Sequence, residues 1–64
     1  MLVKDLKVGE LYRDYDYIHL LVSICDSWID GDLEYKMQCL TNGRSYRLSW
    51  KIDQKVNLER LSND

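Results

Sequence analysis

The sequence predicts an all-β domain of five short strands, and three observations carry that prediction. Leu33 to Ile52, LEYKMQCLTNGRSYRLSWKI, alternates apolar and polar residues on both sides of an Asn42-Gly43 pair. Tyr17 to Cys25, YIHLLVSIC, is rich in β-branched and large apolar side chains and has no helical cap or charge pattern at either end. Short polar segments containing Gly or Asp separate these runs.

In chain order, Met1 to Lys7 fits either a single helical turn or an extended arm, with Val3, Leu6 and Val8 available to cover one edge of a core. Lys7-Val8-Gly9-Glu10 reads as a turn, since Gly9 accepts backbone angles that a tight bend requires. It leads into a first strand, Glu10 to Arg13. Asp14-Tyr15-Asp16 is a polar break before the second strand, Tyr17 to Cys25. Period-two alternation there places Ile18, Leu20, Val22 and Ile24 on the core face, and Tyr17, His19, Leu21, Ser23 and Cys25 on the other. Asp26 to Asp32, DSWIDGD, is a loop.

Asn-Gly is the strongest short-range signal for a two-residue type I′ turn. That turn pairs Cys39 with Tyr46, Met37 with Leu48, Tyr35 with Trp50 and Leu33 with Ile52, apolar with apolar on one face. Gln38 with Arg47, Lys36 with Ser49 and Glu34 with Lys51 form the other face, where Leu40 opposite Ser45 is the exception. A slip of one residue would mix the faces, so the phase is well specified. Lys51 to Lys55 leaves room for one 3₁₀ turn, Val56 to Arg60 for a short last strand, and Leu61 to Asp64 reads as a polar tail.

The phrases KVGELYR, YIHLLVSI, YKMQCLTNGRSYRLSW and VNLERL, in this order, resemble the small SH3-like barrel proteins common in bacteriophage genomes. Those proteins share a VG-led opening strand, a long second strand, an NG or DG hairpin and an L-x-x-L ending. The resemblance covers residues 6 to 61. It implies a five-stranded SH3-like barrel over residues 1–64; with the small size, the absence of catalytic groups and the aromatics within an acidic rim, the expectation is a phage-encoded protein that binds and modulates a host protein in the host cytoplasm. The chain lacks the basic Gly-centred loop that nucleic-acid-binding relatives of the KOW type carry near their first hairpin.

Composition narrows the function classes. A chain of 64 residues is one domain, and one this short buries only about 60% of its unfolded surface. Its hydrophobic content of 45%, with five Tyr and two Trp, supports a folded core over disorder. The net charge of −2 does not favour general polyanion binding. No apolar run is long enough for a membrane span, and MLVKDLKVGE lacks the apolar core of a signal peptide, so a cytoplasmic protein is expected. Cys25 and Cys39 with the single His19 do not make a zinc set, and a cytosolic setting disfavours a disulfide between them.

Catalysis finds no support. His19 is expected at the surface or partly packed, and lies about 20 Å along the strand from Cys25. No nucleophile elbow occurs. Asp26, Asp30 and Asp32 with Glu34 depart from the EF-hand order and read as a solvated acidic loop, so neither metal nor cofactor is expected. Protein binding is the leading expectation. Tyr12, Tyr15, Tyr17, Trp28, Ile29 and Asp30 occupy the segments that border the shallow groove of an SH3-like barrel, and Tyr and Trp dominate interface hot spots. The aspartates at 14, 16, 26, 30 and 32 would favour a partner with a basic surface. The alternative for Trp28 is a lid folded back over the barrel end. The first alternative is nucleic-acid binding through Lys36, Arg44, Arg47 and Lys51, although the hairpin aromatics point to the opposite face. The second is a structural protein acting as a homo-oligomer through edge strands.

Overall fold

The computed structural model describes residues 1–61. A 3₁₀ turn, η1 (Val3–Asp5), precedes β1 (Leu11–Asp14), β2 (Tyr17–Asp26), β3 (Asp32–Cys39), β4 (Ser45–Lys51) and β5 (Glu59–Arg60). All pairings are antiparallel, in the order β4-β3-β2-β1-β5. The all-β class holds, but the sheet is open rather than a closed barrel. β4 and the two-residue β5 are its two edges, and among the described residues no ladder joins them. The polar tail expected beyond Leu61 lies outside the described residues.

The β3–β4 hairpin keeps its predicted faces with different partners. Leu33 pairs with Trp50, Tyr35 with Leu48 and Met37 with Tyr46. A type I′ turn requires positive φ at both central residues, and of Asn42 and Gly43 only Gly43 has it (φ +78°). The loop is therefore four residues, Leu40 to Gly43. Gly43 N–H donates to Cys39 O at 2.8 Å, Cys39 N–H donates to Arg44 O at 2.7 Å, and Arg44 N–H donates to Asn42 Oδ1 at 2.9 Å. Strand β2 widens it, because Leu40 N–H donates to Ile18 O at 2.7 Å and Ile18 N–H to Thr41 Oγ1 at 3.0 Å. The displacement is two residues, which is one side-chain period, so every apolar residue stays on its face. Ile52 alone loses its partner and is exposed.

Strand β2 corrects the expected phase. His19 and Leu21 face the core, and Ile18, Leu20 and Val22 do not. The ladder sets His19 between Tyr12 on β1 and Cys39 on β3, both buried. A bulge then separates Leu21, opposite Met37, from Ser23, opposite Lys36, and leaves Val22 without a counterpart. The extra residue returns Ile24 to the core side. Two inward residues three apart in sequence are thus reconciled within one strand.

Val3, Leu6, Tyr12, Leu21, Tyr35 and Met37 form the core, with Ile24, Leu33, Tyr46, Leu48, Trp50, Val56 and Leu58 packed on it. Each large apolar side chain taken fully from water contributes about 1.5–3 kcal/mol. One face of the sheet is covered by the N-terminal arm and the connection after β4, which are joined to each other. Leu2 bridges Lys55, Val3 N–H donates to Gln54 O and Val56 N–H to Met1 O, both at 2.8 Å. That junction takes the backbone around Val56, so only Glu59 and Arg60 of the expected last strand reach β1. Between β4 and β5 a turn closed by Gln54 N–H to Lys51 O at 3.0 Å takes the place expected for a 3₁₀ turn. Val8, expected to help cover the core, is exposed.

Candidate functional site

The expected partner-binding residues divide into three groups. Tyr12 is fully enclosed. Its hydroxyl accepts from Lys7 N–H at 2.8 Å and donates to Glu10 Oε1 at 3.3 Å, so it is a core residue and not a contact. Tyr15 lies in the β1–β2 turn and Tyr17 opens β2 beside it. Trp28, Ile29 and Asp30 lie in the β2–β3 loop, at the far end of β2 from that turn. These two groups thus lie at opposite ends of β2. The sequence led us to expect one SH3-like groove bordered by both loops; the depression found at the β1–β2 end is lined by none of Trp28, Ile29 and Asp30.

At the β1–β2 end, Asp14 pairs with Tyr17 across a two-residue turn. Tyr15 has φ +55° and is 79% exposed. Beside it lies a depression of about 460 Å³ lined by Arg13, Tyr15, Asp16, Asn57, Leu58 and Glu59. Arg13 and Glu59 form an ion pair across it, so the one cation in its wall is already matched by a carboxylate.

At the other end, Trp28 is 86% exposed, the highest value among the exposed large apolar residues. It is not a lid. The loop that carries it is well held. Ile29 N–H donates to Ser27 Oγ at 3.2 Å, Asp32 N–H donates to Ile29 O at 3.1 Å, and the Ser27 and Ser49 hydroxyls are 3.2 Å apart. Gly31, at φ +85°, makes the bend that returns the chain to β3. Ile29 is exposed, and so is Ile52, which follows β4 at the same end of the sheet. Asp26, Asp30 and Asp53 are exposed around them and Asp32 is half-buried; among the described residues none of the four is in an ion pair. The sequence reading missed Ile52, because the register it assumed paired that residue with Leu33.

The cations of the alternative reading are also divided. Lys36, Arg47 and Lys51 share the sheet face away from the core, where Lys36 stands directly across from Arg47 and Lys51 across from Asp32. Arg47 is paired with Glu34 at 3.8 Å. Arg44 precedes β4 in phase with Tyr46, so it belongs to the hairpin end rather than to this face. Tyr35 and Trp50, whose rings meet at 5.3 Å, lie on the opposite face.

His19 is buried against Tyr46, whose Oη lies 2.5 Å from Nδ1. Burial above all, with the nearby Cys39 and Asp14, raises the pKa of the Tyr46 phenol. Cys25 is exposed and Cys39 buried, and both are free thiols. Among the described residues no three His, Cys, Asp or Glu side chains converge as metal ligands, and no helix is long and apolar enough to cross a membrane. No family model, curated protein or solved structure matches this chain.

Proposed function

We propose that this chain is a small protein-binding module that works through the β2–β3 loop, with Trp28 as the anchor. The observation that carries the reading is an indole almost wholly in water on a loop fixed by backbone and serine hydrogen bonds. Covering an exposed Trp releases hydrophobic free energy, and a loop already held by hydrogen bonds has little backbone ordering entropy left to lose on binding. Ile29 and Ile52 extend the apolar surface. Asp26, Asp30, Asp32 and Asp53 form an acidic rim, which selects a protein with an apolar pocket and a basic border.

Action by binding rather than catalysis belongs to the same proposal. It is supported by the enclosure of the single His against Tyr46. SH3-like kinship and a phage-encoded modulator of a host protein are also proposals. They are supported by the resemblance of the four sequence phrases and by the element order, a five-stranded antiparallel sheet with a tight turn before its last strand.

The test is capture from bacterial lysate with wild type and Trp28→Ala, followed by direct titration of each captured protein in purified form. Truncating a hot-spot Trp costs about 2 kcal/mol or more, on the order of 30-fold in affinity. A partner that binds both proteins equally would show that the loop is not the contact.

A further inference from the structure

The strand β4 forms one edge of the sheet along its whole length, Ser45–Lys51. The hydrogen-bond phase identifies which of its backbone groups are free. Cys39 N–H donates to Arg44 O, so the even-numbered residues of β4 bond to β3. The pairing of Leu40 N–H with Ile18 O on the other side of β3 gives the same phase independently. The amides and carbonyls of Ser45, Arg47 and Ser49 therefore point away from the sheet. Among the described residues none of the three amides has a backbone acceptor in a loop or turn. The strand contains no proline, and its register against β3 runs without a break. It lacks two of the devices that commonly blunt an edge.

We infer that β4 pairs antiparallel with β4 of a second copy, about a two-fold axis at Leu48, to make one continuous sheet across the dimer. Leu48 is the midpoint of Ser45–Lys51, so this register overlaps the whole strand. It sets Arg47 opposite the partner's Ser49, and Ser45 opposite the partner's Lys51, with the free backbone groups of Arg47 and the partner's Ser49 facing each other. On the core side it sets Leu48 against the partner's Leu48 and Tyr46 against the partner's Trp50. These are non-hydrogen-bonded pairs, the closer kind, and Tyr46, Leu48 and Trp50 are all only partly buried in the single chain. No like charges oppose each other. The neighbouring two-fold register, centred on Arg47, would set Arg47 against the partner's Arg47, a repulsive pair. The strand is thus self-complementary in the register that overlaps its whole length, which selects a second copy over an arbitrary extended peptide.

The experiment is sedimentation equilibrium of the full chain over a concentration series into the millimolar range, with amide hydrogen exchange on the same samples. The expected result is a mass rising toward twice 7.7 kDa, with the Arg47 and Ser49 amides becoming protected as the dimer forms. Arg47→Pro removes an outward N–H and no bond to β3, so it is expected to stay monomeric with an unchanged circular dichroism spectrum. If that variant fails to fold, wild-type exchange still decides. Wild type that remains monomeric, or a dimer whose Arg47 and Ser49 amides exchange freely, overturns the inference. So does protection of those amides only when an extended peptide is added. Trp28→Ala is expected to dimerise as wild type does, so failure here and failure of the Trp28 loop as a contact are read separately.

Discussion

His19 and Tyr46 meet inside the sheet, phenol oxygen to Nδ1 at 2.5 Å, with ring centroids 5.5 Å apart and planes perpendicular. The contact explains how an imidazole can occupy a core position on β2. Tyr46→Phe keeps the ring and deletes the partner, leaving a buried ring nitrogen unmatched. The expected loss is about 1–3 kcal/mol, the cost of an unsatisfied buried polar group. Urea unfolding of the two proteins at one pH measures it, and equal midpoints would show that the bond contributes nothing.

Tyr15 holds a positive φ that glycine adopts freely and tyrosine does not. Only the first of the two turn residues has positive φ, the pattern of a type II′ turn with glycine's usual place filled by tyrosine. Tyr15→Gly is expected to raise stability by up to about 1–2 kcal/mol, the scale of left-handed strain, while Tyr15→Val lowers it. Thermal unfolding of the pair checks the order, and a more stable valine variant would refute the strain account.

Val22 occupies the bulge without a counterpart on β3. Deleting it brings Leu21 and Ile24 to a spacing of two, which is the regular strand period, and Ser23 still follows Leu21 opposite Lys36. The Val22 deletion is therefore expected to fold. Deleting Leu20 instead moves His19 off the core face relative to Leu21 and is expected to unfold the domain. Circular dichroism and amide dispersion of the two deletions distinguish them.

Burial raises the pKa of Tyr35 and Tyr46 and, against an opposing bond from the Lys7 amide, that of Tyr12. The unfolded chain ionises these phenols near the ordinary value of 10.0 and the folded chain only above it. The unfolded state therefore binds fewer protons in that window. Stability is complete below the unfolded value and falls as pH rises from it toward the folded values. Urea midpoints measured upward from neutral pH should stay level and then drop in this alkaline range. Tyr35→Phe should flatten the drop, since the Tyr35 hydroxyl has no hydrogen-bond partner among the described residues. A midpoint independent of alkaline pH would contradict the assignment.

The number of strands, the order of the hairpins and the faces of β3 and β4 were legible in the sequence, because period-two alternation is a local property of the backbone. The candidate site was legible only in part. Trp28 and Ile29 stand out as large apolar residues in an aspartate-rich loop, whereas Ile52 joins them through a register set elsewhere. Tyr12 and Tyr15, three apart in chain and alike in chemistry, end in opposite environments: one is sealed against Lys7 and Glu10, the other stands in solvent on a turn.

What the sequence by itself determined is therefore the alphabet of strands and the two faces of the hairpin. Tertiary structure alone decided the rest. Hydrogen bonds between Ile18 and the loop residues Leu40 and Thr41 replaced a two-residue turn with a four-residue loop. A bulge at Val22 and a tyrosine partner for His19 reversed the first half of β2. The junction of the N-terminal arm with Val56 left the last strand short. Each of these rests on a hydrogen bond or a ladder pairing between residues distant in sequence. Patterns read along the chain register local periodicity, and such pairings form only when the separate strands are brought together.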